Sequence, residues 1–224
     1  MAYPASVSTT LLRNVPLFAG LDEAQLKVLA RVIVRTSFSR NITIIRAGDP
    51  TDTLYIVING RLKVLLCDDQ GREVILSLLG PGEVFGEMGL LDDSPRSANV
   101  VTQEPCETLS ISKTDFKRIL AENSELSLMV MRGLVKRLRE ADRKIGSLAL
   151  MDVYGRVARL LLEMADDVDG EKVVVKKVSK QDIAKMIGAS REMVSRVMKD
   201  LQLGGYIEVR GRSIVLRDNI LLAD

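Results

Sequence analysis

The chain has 224 residues, 46% hydrophobic and 28% charged, with a net charge of +2. That is a globular composition, long enough for one large domain or two modest ones. With no histidine and only Cys67 and Cys106, it excludes a Ser-His-Asp triad, His-ligated haem, an iron–sulfur cluster and a thiolate zinc site. An enzyme is therefore not expected, nor is any metal.

No apolar run approaches the ~18 residues of a membrane span. Met1–Thr10 lacks the basic start and apolar block of a secretory leader, so the expected location is the cytoplasm, with no membrane partner. The two cysteines are expected there to be inert thiols rather than a disulfide.

In chain order, Leu11–Val34 is expected to be helical, with Leu26, Leu29, Val32 and Ile33 at helical spacing. From Phe38 to Ile111 the texture changes to short β-branched runs: Thr43–Ile45, Leu54–Ile58, Leu62–Leu66, Val74–Leu78, Asn99–Val101 and Thr108–Ile111. Turn signals separate them, and Asn59-Gly60 marks a type I′ hairpin, whose two central residues both need φ > 0. Many short strands at this spacing predict a sandwich, roll or barrel.

Within that region Gly82-Glu83-Val84-Phe85-Gly86-Glu87-Met88-Gly89-Leu90 runs on to Arg96-Ser97-Ala98. Glycines let backbone amides approach an anion closely, and an arginine supplies charge-assisted donors to a phosphate. Glu87 is of the type that accepts from a ribose hydroxyl. The plainer alternative is a glycine-rich turn in which Arg96 and Glu87 pair with each other, and the residues alone leave both open.

Met131, Leu134, Leu138, Ala141, Ile145 and Leu148 then recur in steps of three and four, an a/d seam. Such a seam packs on the protein's own strands or pairs with a second copy, and the second predicts a parallel homodimer. Met151-Asp152-Val153 reads as a hinge, followed by a helix Val153–Met164, a loop Asp166–Gly170 and a strand Lys172–Val175.

Between Lys172 and Arg217 eleven Lys/Arg stand against four Asp/Glu. This basic stretch coincides with a motif. Ser179 is an N-cap with Asp182 as capping-box partner, and helix Gln181–Ile187 leads through Gly188-Ala189 to a second helix from Arg191 to Leu201, capped by Ser190. Two short helices joined by a glycine turn form a helix-turn-helix, whose second helix enters the major groove of double-stranded DNA. Arg191, Glu192, Ser195 and Arg196 face outward there. Arginine reads guanine and glutamate reads cytosine, so Arg191, Glu192 and Arg196 form a base-reading set. Lys180, Gln181, Lys185, Ser190 and Lys199 are placed for phosphate. Tyr206–Val209 and Ser213–Leu216 flank Arg210-Gly211-Arg212, a wing with a basic tip.

These motifs together resemble the catabolite activator/fumarate-nitrate regulator family over almost the whole chain. The matches are Arg46-Ala47-Gly48-Asp49, Gly86-Glu87-x-Gly89 through Arg96-Ser97-Ala98, Leu148-Ala149-x-x-Asp152-Val153, and Gly188-x-Ser190-Arg191-Glu192-x-Val194-x-Arg196. The resemblance implies an α+β chain: a jelly-roll-like β-roll sensor over residues 1–124, a dimerisation helix and hinge over 125–151, and a winged helix-turn-helix over 152–224. It further implies an allosteric homodimer, an activator or repressor that binds a cyclic nucleotide and acts on RNA polymerase at a palindromic TGTGA-type site.

Carried over by residue, Glu87 would hold the ribose 2′-OH and Arg96 with Ser97 the cyclic phosphate, lined by Gly86, Met88, Gly89 and Ala98. In cyclic-AMP-responsive members two hydroxyl residues on the dimer helix contact adenine; Ala141 and Asp142 stand here instead. Cyclic AMP is the first expectation for the effector. Cyclic di-GMP, ligand-independent DNA binding, and a cyclic-nucleotide-binding module acting on a protein partner are the alternatives. The loop Ala165–Glu171 is shorter than in the best-known activator, so that protein's polymerase-contacting surface does not transfer.

Overall fold

In the computed structural model, which describes residues 7–175, 178–211 and 213–217, the stretch Leu11–Val34 is not one helix. Helix α1 (Thr9–Arg13) is capped by Ser8 and ends before Pro16, which opens a single 3₁₀ turn, Pro16–Phe18. Proline lacks the N–H that a continuing helix needs. Helix α2 (Glu23–Val32) starts afresh on a complete capping box between Asp22 and Gln25. Val34 belongs to strand β1 (Val34–Phe38).

The chain divides into two compact units, Met1–Arg137 and Leu138–Asp224. In the first, eight strands form two four-stranded antiparallel sheets. One has the order β1-β8-β3-β6, with β3 Thr53–Asn59, β6 Val84–Phe85 and β8 Cys106–Ser112. The other runs β2-β7-β4-β5, with β2 Thr43–Ile45, β4 Leu62–Cys67, β5 Glu73–Leu79 and β7 Asn99–Thr102. Period-2 alternation gives β3 and β8 two apolar faces. Leu54, Ile56, Leu109 and Ile111 join Phe18, Leu26 and Phe116 in one core, whereas Val57 and Cys106 join Phe85, Leu62 and Val100 in the roll interior. Neither cysteine is in a disulfide; Cys106 is buried and Cys67 exposed.

Asn59-Gly60 is not a hairpin turn. Strands β3 and β4 on either side of it lie in different sheets, and of the two residues only Gly60 has positive φ, +88°. Glycine is required there for close approach: a Cβ would stand 2.5 Å from the Pro105 carbonyl oxygen and 2.6 Å from Cys106 Sγ. The dipeptide turns a corner between sheets.

Helix α3 (Met88–Asp92) follows β6, and α4 (Lys113–Glu122), capped by Ser112, follows β8. Helix α5 (Ser124–Leu150) is continuous.

In the second unit, helix α6 (Val153–Met164) is capped by the Asp152 carboxylate, which accepts from Gly155 N–H at 2.8 Å. The expected loop Asp166–Gly170 is mostly strand. Strands β9 (Asp166–Val168) and β10 (Glu171–Val174) pair across Asp169-Gly170, whose φ values are +53° and +81°. The two-residue, doubly positive turn expected at Asn59-Gly60 is found here.

Helix α7 (Lys180–Ile187) ends on Gly188 in the left-handed region, and helix α8 (Arg191–Leu203) follows. The wing strands β11 (Ile207–Arg210) and β12 (Ser213–Leu216) complete a sheet of order β11-β12-β10-β9. Val157, Leu161, Ile183, Val194 and Leu201 are its buried centre, beneath the strands. The sequence thus yields the expected α+β architecture of roll, long helix and winged helix-turn-helix.

Candidate functional site

In the roll, β6 delivers the chain to Gly86, whose φ is +80°. A Cβ at Gly86 would lie 2.5 Å from Arg96 Nη1, so a side chain there would displace the guanidinium. Gly89 is equally constrained, its ideal Cβ 2.3 Å from the Ser94 carbonyl oxygen and 2.4 Å from Thr51 Oγ1. The two glycines pull α3 down onto the 94–98 loop.

Arg96 is buried and donates from Nη1 to the Gly86 carbonyl (2.8 Å) and from Nη2 to the Thr53 carbonyl (2.6 Å). Burial lowers its pKa, opposed by the charges of Tyr55, Asp52, Glu87 and Asp49. Two carbonyls therefore fix the plane of a desolvated cation. The Asp52 carboxylate lies 3.6 Å from Nη2 but is itself largely exposed, and a second, ligand-borne anion would add to its attraction.

Glu87 does not pair with Arg96. Its Oε1 accepts from Arg137 on α5, while Oε2 is buried with no hydrogen-bond partner. A buried carboxylate oxygen left unmatched is costly, and a hydroxyl donor of a bound ligand would satisfy it. Fixed cation, orphaned acceptor and glycine cradle suit a small molecule carrying both an anionic group and a hydroxyl. Ser97 is exposed with Oγ 3.9 Å from Met88 Sδ, Met88 is exposed, and Ala98 is buried. Sequence reasoning missed Arg137. It lies fifty residues beyond Glu87, and nothing local marks one arginine of a charged helix as the one that meets the roll.

An ion cluster holds the far end of this loop. Asp93, left-handed at φ +61°, accepts from Lys113 Nζ (2.6 Å) and Lys117 Nζ (2.9 Å) of α4. Hydrogen bonds from the two ammonium groups push its pKa down to about 2, from an ordinary 3.8. A depressed folded-state value contributes stability that is fully present above the unfolded value and lost as pH falls through about 2. Asp93→Asn is therefore expected to flatten the acid limb of the stability profile. Thermal melts from neutral pH to pH 2 should show parent and variant converging at the acid end.

Along α5, Met131, Leu138, Ile145 and Leu148 are exposed, as is Ala141. Leu134 is half-buried, whereas Leu128 and Val135 are also exposed. The bare stripe thus runs through Leu128, Met131, Val135, Leu138 and Ile145, with exposed Asp142 in the same series of three- and four-residue steps.

In the helix-turn-helix, Ser179 Oγ accepts from Asp182 N–H (3.0 Å) and donates to the Asp182 carboxylate (2.8 Å), starting α7. Ser190 Oγ accepts from Met193 N–H (3.1 Å), so it caps α8 and keeps its O–H to donate. Arg191, Glu192, Arg196 and Lys199 are exposed on α8, and Lys180 and Gln181 on α7. Lys180 Nζ donates to Ser195 Oγ at 3.1 Å, tying the two helices and half-burying Ser195. Among the described residues no hydrogen bond or ion pair engages the side chains of Arg191, Glu192 or Arg196.

Arg210 differs. It is bound by Glu208 (2.8 Å) and Glu171 (2.7 Å), in a network that also includes Arg217. Arg212 lies outside the described residues.

Residues 35–123 match the cyclic nucleotide-binding domain family, and residues 155–224 match the Crp-like helix-turn-helix domain family. Over 217 residues, 95% of this chain and 97% of the relative, the sequence is 30% identical to the CRP-like cAMP-activated global transcriptional regulator of Mycobacterium tuberculosis. The chain belongs to the Crp/Fnr family of transcription regulators.

A second relative, the cAMP-activated global transcriptional regulator Vfr of Pseudomonas aeruginosa, is 38% identical over 192 residues, 81% of this chain and 88% of Vfr. Among solved structures, the c-di-GMP responsive global regulator CLP of Xanthomonas campestris aligns with a TM-score of 0.72 and 31% identity, covering 87% of this chain and 99% of CLP. These Crp/Fnr relatives are regulators, and the chain shares their pairing of a nucleotide-binding sensor with a DNA-binding domain. Among the described residues no acidic, cysteine or histidine cluster is placed to hold a metal, and no helix is long and apolar enough to cross a membrane.

Proposed function

We propose that this Crp/Fnr regulator is a homodimer controlled by a cyclic nucleotide, cyclic AMP first, and that its liganded form binds a palindromic TGTGA-type site and acts on RNA polymerase. The observation that carries the sensing role is the buried, unpartnered Oε2 of Glu87 close to the desolvated Arg96. In this reading Glu87 takes a ribose hydroxyl, and Arg96 with Ser97 takes the phosphate, against Gly86, Met88, Gly89 and Ala98. The exposed stripe of α5 joins the two copies. Residence in the cytoplasm follows from that role.

Arg191, Glu192 and Arg196 read bases, while Lys180, Gln181, Ser190 and Lys199 hold phosphates. Ser195 is kept in place by Lys180. Arg210 joins the phosphate set after exchanging its carboxylate partners, and so does Arg212, two residues on in the sequence.

A second reading concerns the base. Ala141 and Asp142 stand where cyclic-AMP-responsive members carry two hydroxyl residues, and this departure favours a guanine nucleotide. The likeness to CLP points the same way.

Calorimetric titration with cyclic AMP, cyclic GMP and cyclic di-GMP separates these readings. Saturable binding of cyclic AMP supports the first, and binding confined to a guanine nucleotide supports the second. No binding to any of them would remove the sensing role of Glu87 and Arg96.

For the DNA-reading helix, Arg196→Ala is expected to cost ~1–3 kcal/mol of binding and relax preference at one base pair. Selection from random duplexes reads this directly, and an unchanged preference would refute the role.

A further inference from the structure

The chain leaves α5 at Met151-Asp152 and enters α6, and one side chain in the first turn of α6 reaches the helix-turn-helix. Arg156 Nη1 donates to the Ile187 carbonyl at 2.7 Å, and its Nε lies 3.4 Å from the Asp152 carbonyl. Its own backbone N–H also donates to that Asp152 oxygen, at 3.1 Å. A single guanidinium thus bridges the residue that caps α6 and the last residue of α7.

The geometry at the far end is specific. The N–H groups of Gly188 and Ala189 both turn back to the Ala184 carbonyl, which closes the end of α7 and leaves the Ile187 carbonyl to the Arg156 side chain. A cation at a helix C-terminus satisfies such a carbonyl and complements the helix dipole. Gly188 is left-handed at φ +64°, and Ser190 begins α8 two residues later. Whatever fixes the Ile187 carbonyl therefore fixes where the reading helix starts. Arg156 is half-buried and is not among the residues proposed to read bases or hold phosphates.

We propose that Arg156 is a positioning residue for DNA recognition: it locks the helix-turn-helix turn to the α6 cap, so that the orientation of α8 follows the segment where the chain leaves α5. A planar fork spans two carbonyls, whereas a lysine ammonium at the same place reaches the carbonyl at Ile187 without holding the one at Asp152.

The test uses the full chain as parent, Arg156→Ala and Arg156→Lys. The DNA is the set of duplexes selected by the parent from a random pool, so an error in the proposed half-site or effector does not affect the outcome. Arg156→Ala is expected to weaken binding by about tenfold or more, the scale of one lost charge-assisted hydrogen bond. Hydrogen exchange should quicken at Ile187–Ser190 while Val194–Leu201 stays protected. Arg156→Lys should recover part of the affinity. Binding equal to the parent's in the alanine variant would overturn the proposal. So would exchange quickened evenly through α6, α7 and α8, or a lysine variant no better than alanine, since each describes a residue that serves stability alone.

Discussion

If the proposed homodimer forms through α5, replacing Leu138 and Ile145 together by glutamate is expected to convert it to monomers. The two side chains are 62% and 64% exposed on the isolated chain, which a soluble helix tolerates only where something else covers it. Burying a leucine or isoleucine is worth ~1.5–3 kcal/mol, and a symmetric pair buries each residue twice. Losing all four removes about 6–12 kcal/mol before the repulsion of facing carboxylates is counted. The chain's own fold should survive, because Phe18, Leu26 and Phe116 in one unit and Val157 and Leu161 in the other pack elsewhere. A monomer presents one reading helix instead of two, so affinity for a palindrome should fall on the order of 100-fold or more. Sedimentation showing an intact dimer would mean that the bare stripe has another partner.

The second large effect is at the sensor. Glu87→Gln keeps the shape and an acceptor for Arg137 but removes the charge. Hydrogen bonds to charged groups are worth ~1.5–3 kcal/mol, so the affinity for cyclic AMP should fall roughly 10- to 150-fold. Stability should fall by less than that, since the amide oxygen still accepts from Arg137 although the ion pair loses its charge. Unchanged nucleotide affinity would show that the carboxylate faces no ligand. A loss of nucleotide affinity larger than the loss of stability separates a ligand-facing group from a structural one.

Where function is local in sequence it was legible. Caps, a glycine turn and a helical apolar face lie within a few residues of one another, so the helix-turn-helix and its exposed Arg191, Glu192 and Arg196 were readable. Glu87 and Arg96 were legible as a pair of residue types, but their partners were not. Arg96 spends two donors on carbonyls from Gly86 and Thr53, and Glu87 takes Arg137, choices made by tertiary folding. Strands β1 and β6 were missed because Val-Arg-Thr-Ser-Phe carries little alternation and Val84-Phe85 is too short to show any.

The turns teach a related lesson. Asn-Gly and Asp-Gly carry the same hairpin signal, yet Asp169-Gly170 makes a hairpin and Asn59-Gly60 a corner. The difference is set by Pro105 and Cys106, far along the chain, which crowd Gly60. In the seam, the three- and four-residue steps include Met131, Leu138 and Ile145, which are exposed. They miss Val135, because a helix of 3.6 residues per turn lets two adjacent registers share those three positions.

The central claim is that ligand in the roll raises affinity for DNA. It is tested most directly by measuring the Kd for a TGTGA-type palindrome, at one fixed salt concentration, with and without saturating cyclic AMP. Allosteric coupling of ~1–3 kcal/mol predicts a 5- to 150-fold tightening, and by linkage DNA must tighten nucleotide binding by the same factor. If cyclic AMP binds and the DNA affinity does not move, sensor and reading helix are uncoupled and the account is contradicted.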